Sequence, residues 1–250
     1  MRRVTTVLVA AIALAGLLAA GVLAAGCGSS SGSGSSDVPS DAVATVGGVP
    51  ISKADFQQLM DQAKTQMKSS GMTIPKEGSA TYDHYVAQIV QYMVQEQVIA
   101  QSAKDLGVSV TDKEVSDQVA QLVKAYGGEQ KVLTLLKQQG MNMDLLKRSI
   151  KGQALAQKAI AIVAKGATVS DAEIKSTWEA HKSEYQKDKK TNTLAKATAS
   201  IKQTLLSAKQ QKLWNAWLDK QVKAIGVAYA AGFDPTALNA SASASPAAGG

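Results

Sequence analysis

Few residues in this 250-residue chain could do chemistry. It holds one cysteine, Cys27, and two histidines, His84 and His181. One thiol cannot close an intrachain disulfide, and two imidazoles cannot supply a histidine-based metal cluster. No GxxxxGKS or GxxxxGKT phosphate loop, no HExxH zinc pattern and no GxSxG nucleophile elbow occurs. Close carboxylates such as Asp112 and Glu114 fall where a helix should begin, a position at which the helix dipole favours negative charge. His84 and His181 sit on different predicted helices and read as surface residues rather than as a catalytic pair. These residues imply no catalytic site, no metal and no cofactor.

Cys27 has a different chemistry open to it. Met1, Arg2 and Arg3 precede an uncharged run, Val4 to Gly26, built almost wholly of Ala, Val, Leu, Ile and Gly. A basic start, an apolar run and small residues at its end describe an export signal over residues 1–26. The run closes on Leu23-Ala24-Ala25-Gly26-Cys27, which resembles a bacterial lipobox: cleavage before Cys27, then lipid attachment to its sulfur. Ala24 stands where that motif more often has leucine. The alternative is an uncleaved anchor, since the run is long enough to span a bilayer of about 30 Å. Either way the arginines favour staying inside, which places the remaining chain outside the cytoplasm on the cell membrane. Residues 27–40 follow as a Gly/Ser tether, whose nine-residue core Gly28–Ser36 has an r.m.s. reach of roughly 20 Å.

The elements beyond the tether have to be helical for the most part. Hydrophobic residues make up 45% and charged residues 19%, so the chain can bury a core, while aromatics at 4% argue against a β-sandwich. The expected fold class is mainly α: about seven helices, a small N-terminal β-hairpin, and a long C-terminal helix packing back on the N-terminal part. Val43–Val46 and Val49–Ile51 flank Gly47-Gly48, a hairpin pattern whose turn needs positive φ. Pro50 has no N–H to donate and should lie in an edge strand. Ser52-x-x-Asp55, Thr111-x-x-Glu114 and Ser170-x-x-Glu173 are helix starts. The first helix runs from Lys53 to about Ser70. The second carries Tyr82, Val86, Ile89 and Met93 on a stripe and stops at Leu106-Gly107. A third and a fourth are separated by Gly127-Gly128. The fifth carries Leu155, Ala159 and Ile162, and a sixth includes both Trp178 and Tyr185. The last spans about Leu194 to Ile225, and Val227-Ala228-Tyr229 is expected to return as a strand beside the hairpin, which would be marginal alone. Residues 41–234 make up the folded domain, and the Ala/Ser-rich tail 235–250 is expected to be disordered.

Val43-Ala-Thr-Val46-Gly-Gly48-Val-Pro-Ile51-Ser52 followed by a helix resembles the opening of the SurA N-terminal domain and of PrsA-like foldases. The likeness continues through the buried second helix, Leu106-Gly107-Val108 with Val110-Thr111-Asp112-x-Glu114-Val115, and Val169-Ser170-Asp171-Ala-Glu173-Ile174. In those families the turn is usually Asn-Gly. The larger departure follows Tyr185, where the foldases insert a parvulin prolyl-isomerase domain whose site uses paired histidines. Here Gln186 to Thr193 bridge the gap in eight residues, too few to fold such a domain.

The resemblance implies a chaperone: a membrane-anchored holdase that binds unfolded or newly exported polypeptides without ATP and without isomerase chemistry. Two alternatives stand beside it, an isomerase by family membership and a lipoprotein that recruits one envelope partner. A homodimer formed by exchanging helices is compatible with the resemblance. Met60 and Met67, seven apart on the first helix, and Met141 and Met143, before the fifth, are candidate peptide-binding side chains because methionine adapts to varied apolar partners. The competing reading puts them in the core. Charge is uneven. Asp41 to His181 hold fifteen basic and fifteen acidic residues, whereas Lys182 to Lys223 hold ten lysines against Glu184, Asp188 and Asp219. Those lysines are a solvated face, or one that attracts anionic lipid headgroups or acidic client segments. Nucleic acid is not an expected partner, because the chain is exported and shows no recognition motif.

Overall fold

A computed structural model of the protein describes residues 38–244. The export signal, Cys27 and most of the tether lie outside the described residues. The fold divides into two units: one holds the described residues through Gln97, Thr111–Lys151 and Gly226 onward; the other holds Val98–Val110 and Gly152–Ile225.

The first unit is built on a three-stranded sheet. β1 (Ala42–Val46) lies between β2 (Val49–Ser52) and β3 (Val227–Tyr229), and both pairings are antiparallel. β1 is buried along its length, as a central strand of a small sheet must be. Gly47 and Gly48 turn the hairpin at φ 55 and 79, a left-handed pair that side chains resist. A Cβ at Gly48 would meet nothing, so glycine is required there by conformation and not by space. The Gly47 N–H also donates to the Gly226 carbonyl at 2.9 Å, which fastens the start of β3 to the turn. Pro50 lies on the edge strand, where its missing N–H costs no ladder bond.

Around the sheet lie α1 (Lys53–Ser69), the first part of α2 (Ala80–Ser102), α3 (Asp112–Tyr126), α4 (Glu129–Gln138) and the start of α5 (Met143–Val163). The Ser52 hydroxyl caps α1 by accepting from the Asp55 N–H at 3.0 Å. Thr111 and Glu114 form a complete capping box on α3. α2 buries Val86, Ala87, Val90, Met93, Val94 and Val98. It ends at Ser102, before the expected stop at Gly107. The residues between form turns, closed by Val108 N–H donating to the Ala103 carbonyl at 2.9 Å with Gly107 at φ 67. This is the glycine-terminated exit expected there, entered a turn earlier.

The second unit contains the rest of α2 and α5, then α6 (Asp171–Ala180), α7 (Lys182–Tyr185) and α8 (Leu194–Ile225). The single helix expected through Trp178 and Tyr185 is two, broken at His181, whose φ of −118 and ψ of 21 leave the helical well. Within this unit α8 packs on α6 and, through Ser102 Oγ donating to Gln221 Oε1 at 3.2 Å, reaches the end of α2. The chain's return to the first unit is made by β3, which follows α8.

Of the apolar residues carried by α5, Ala159 is buried and Ile162 is 46% exposed. One further expectation is corrected. Residues 235–244, assigned to a disordered tail, form α9 (Pro235–Ala244). Asp234 Oδ1 accepts from the Thr236 N–H at 2.8 Å, and Pro235 stands at the first helical position, where its missing N–H has no intrahelical partner to lose. The described residues therefore hold nine helices, two more than expected: the short α7 and this terminal α9.

Candidate functional site

In the first unit the groups with chemistry meet around Arg148, on α5. Its Nη1 and Nη2 donate to Asp55 Oδ1 at 2.8 and 3.0 Å. The other oxygen of Asp55 accepts from the Ser52 hydroxyl at 2.9 Å. Tyr92 and Glu96, on α2, share this neighbourhood. Burial pushes the Tyr92 phenol up to about 12, with the Glu96 charge adding and Arg148 opposing. Burial also raises the Glu96 carboxyl, which Arg148 partly offsets and Asp55 reinforces. A phenol that stays protonated and a guanidinium already held by a carboxylate are suited to joining α1, α2 and α5. Sequence reading missed this assembly because Asp55 and Arg148 are 93 residues apart: the Ser52-x-x-Asp55 motif marks Asp55 only as part of a helix start, and Arg148 lies in no recognisable motif.

Of the four candidate peptide-binding methionines, three are buried and one half-buried. Met60, Met67 and Met141 are 3%, 6% and 8% exposed, and Met143 is half-buried at the first residue of α5. Met60 and Met67 share the buried side of α1 with Phe56, and Phe56 meets Phe233 edge-on at 5.2 Å. The turn carrying Met141 lies against α1: a Cβ at Gly140 would stand 3.2 Å from Thr65 Oγ1 and 3.6 Å from the Gln62 Cα. Phe56, Met60 and Met67 follow helical spacing, so the face that carries the methionines is the one that packs inward. The large apolar side chains open to solvent in this unit are Val49, Met72, Ile74 and Leu133. Met72 and Ile74 follow α1 directly, in an exposed stretch.

The histidines are exposed and fall in different units. His84 Nδ1 lies 3.0 Å from Asn239 Oδ1 and its Nε2 2.8 Å from Gln88 Nε2, hydrogen bonds that tie α9 to α2. His181 stands 3.6 Å from Glu184.

In the second unit the segments on either side of Asn192 close on each other. Ile174 and Trp178 of α6 form a buried core with Ala197 and Ile201 of α8, flanked by Val169, Tyr185, Leu194 and Leu205. Trp178 stacks on Tyr185 at 5.4 Å. Residues 186–193 turn tightly, with Thr191 Oγ1 donating to the Tyr185 carbonyl at 3.1 Å and the Lys190 N–H to Asp188 Oδ1 at 2.9 Å. Glu173 is held by Lys209 Nζ at 2.6 Å and by the Ser170 N–H at 2.9 Å. The Lys209 hydrogen bond, then those from Ser170, bring its carboxyl down to about 2.

Among the described residues no group of three His, Cys, Asp or Glu side chains could hold a metal ion, and no helix is long and apolar enough to cross a membrane.

Comparison with known proteins gives this architecture relatives. A sequence model of the SurA-like N-terminal domain matches residues 1–160. The foldase protein PrsA of Caldanaerobacter subterraneus subsp. tengcongensis is 27% identical over 156 residues, covering 60% of this chain and 45% of the relative. That of Clostridium acetobutylicum is 28% identical over 166 residues, covering 63% and 50%. That of Clostridium botulinum is 26% identical over 163 residues, covering 61% and 48%. The chain thus aligns with about half the length of these relatives.

Proposed function

The chain belongs to the SurA-like N-terminal domain family, and from that premise we propose that it is a chaperone that holds unfolded or newly exported polypeptides outside the cytoplasm. It is moored to the membrane by lipid on Cys27, with the Gly/Ser tether giving it local reach. Binding is non-covalent and needs no ATP. What carries this reading is the family match together with relatives named foldases.

Holding without isomerase chemistry is the finer part of the proposal. It is supported by the direct closure of α6 on α8 through the Ile174, Trp178, Ala197 and Ile201 core, and by histidines in different units with partners of their own. A holdase needs apolar contacts that do not demand one sequence, and Val49, Met72, Ile74 and Leu133 are exposed apolar side chains of that kind. Affinity on the order of micromolar lets clients leave unaided.

The test is aggregation of a chemically unfolded test protein in the presence of the full chain. Suppression at near-stoichiometric ratios is expected; curves unchanged by excess chain would overturn the reading. In a protease-coupled proline assay the expected rate is background, and a rate above it would overturn the binding-only part.

A further inference from the structure

α8 carries six lysines, and five of them fall on one side of it. At 100° per residue, Lys202, Lys209, Lys212, Lys220 and Lys223 lie within an arc of about 80°. The spacing explains this: Lys202 and Lys220 are eighteen residues apart, five full turns, and Lys212 and Lys223 eleven apart, close to three. Lys209 is spent on Glu173 and on the Thr168 carbonyl. The other four are exposed, and no carboxylate among the described residues is paired with them. Asp219, half-buried, borders the arc and offsets one charge. Leu213, 40% exposed, borders it on the other side. From Lys202 to Lys223 the row is about 31 Å long at 1.5 Å per residue. This segment belongs to the part of the chain that holds its excess positive charge, since the fifteen basic and fifteen acidic residues of Asp41 to His181 balance.

We propose that this lysine row is a docking face for an anionic lipid bilayer. A row of ammonium groups on one continuous helix matches an extended surface of negative charge. Lysine acts as a point charge that needs no fixed partner geometry, which suits mobile headgroups. An exposed leucine beside the row suits the headgroup boundary. An acidic peptide is the competing occupant, but the row offers no bidentate donors to fix carboxylates. The face acts within about a Debye length of the surface, about 8 Å at physiological salt, and does not depend on lipid at Cys27.

The experiment is flotation of the full chain with vesicles of neutral phosphatidylcholine, and of the same lipid with 30% phosphatidylglycerol (roughly the charge density of an anionic leaflet). Binding to neutral vesicles measures what the N-terminal segment contributes. The added anionic lipid should raise partitioning at least about tenfold, at roughly fivefold per lysine near such a surface less the Asp219 offset. Half-molar salt should abolish the increment. The variant K202E/K212E/K220E/K223E, and the milder set with glutamine at the same positions, should lose it while keeping the neutral baseline and the wild-type helical melting curve. An increment that persists in the glutamine variant overturns the proposal. So does salt-sensitive binding of polyglutamate, followed by anisotropy, in a wild type that shows no anionic-lipid increment.

Discussion

Lys209 of α8 lies 2.6 Å from Glu173 in the first turn of α6, a bridge across 36 residues that joins the segments before and after the tight turn at Asn192. Glu173 is at once the carboxylate of a capping box and the partner of this lysine. One side chain therefore serves the local start of α6 and its attachment to α8.

The bridge makes acid stability testable. The folded pKa of Glu173 is near 2, below its ordinary 4.5. The unfolded chain therefore takes up the proton first as pH falls. The stabilisation is present above about pH 4.5 and is lost as pH falls toward 2. Melting curves between pH 2 and 6 should show a flatter acid limb in Glu173→Gln than in wild type. High salt should narrow the difference, because the pair is exposed. Parallel limbs would contradict the assignment.

Glu96 has the opposite sign. Its folded pKa is raised above 4.5 by burial. As pH rises past 4.5 the unfolded chain releases a proton that the folded state keeps, so stability falls across that window. Glu96→Gln should remove this fall and flatten the curve above pH 4.5. Curves of equal slope for both proteins would show that the carboxyl is not desolvated.

The shared core of α6 and α8 should be costly to hollow. Trp178 is 4% and Ile201 1% exposed. Trp178→Ala should cost about 3–5 kcal/mol and Ile201→Val about 0.5–1.5 kcal/mol in urea unfolding. A loss under about 1 kcal/mol for Trp178→Ala would mean that α6 and α8 are not held together by this cluster.

Core and surface methionines should separate cleanly. Met60→Ala should cost about 2–5 kcal/mol of stability, and the protein that remains folded should bind clients as wild type does. Met72→Ser with Ile74→Ser should change stability by no more than about 0.5 kcal/mol and weaken client binding severalfold. The reverse pattern, read from denaturant midpoints and client titrations, would return the buried methionines to the binding role.

Local signals were the legible ones. Thr111 with Glu114 and Ser170 with Glu173 announce their caps within four residues, and Gly47-Gly48 announces its turn. β3 is legible because a two-stranded hairpin is weak alone. Asp234-Pro235 is a helix start of the same local kind, but the Ala/Ser composition beyond it masked the signal. His181 breaks a helix with neither glycine nor proline, so nothing local marked it. Arg148 with Asp55 and Lys209 with Glu173 depend on chain segments meeting in space, and no spacing rule reaches them. Met60 and Met67 are ambiguous in sequence because the stripe that suits a flexible client also suits a core; both are buried on α1.

The most direct test of the account is equilibrium binding of the full chain to a permanently unfolded, fluorescently labelled polypeptide, followed by anisotropy beside the native form of that polypeptide. Saturable binding of the unfolded form is expected on the order of micromolar, with no ATP present and no measurable binding of the native form. Equal binding of both forms, or none of either, would contradict it.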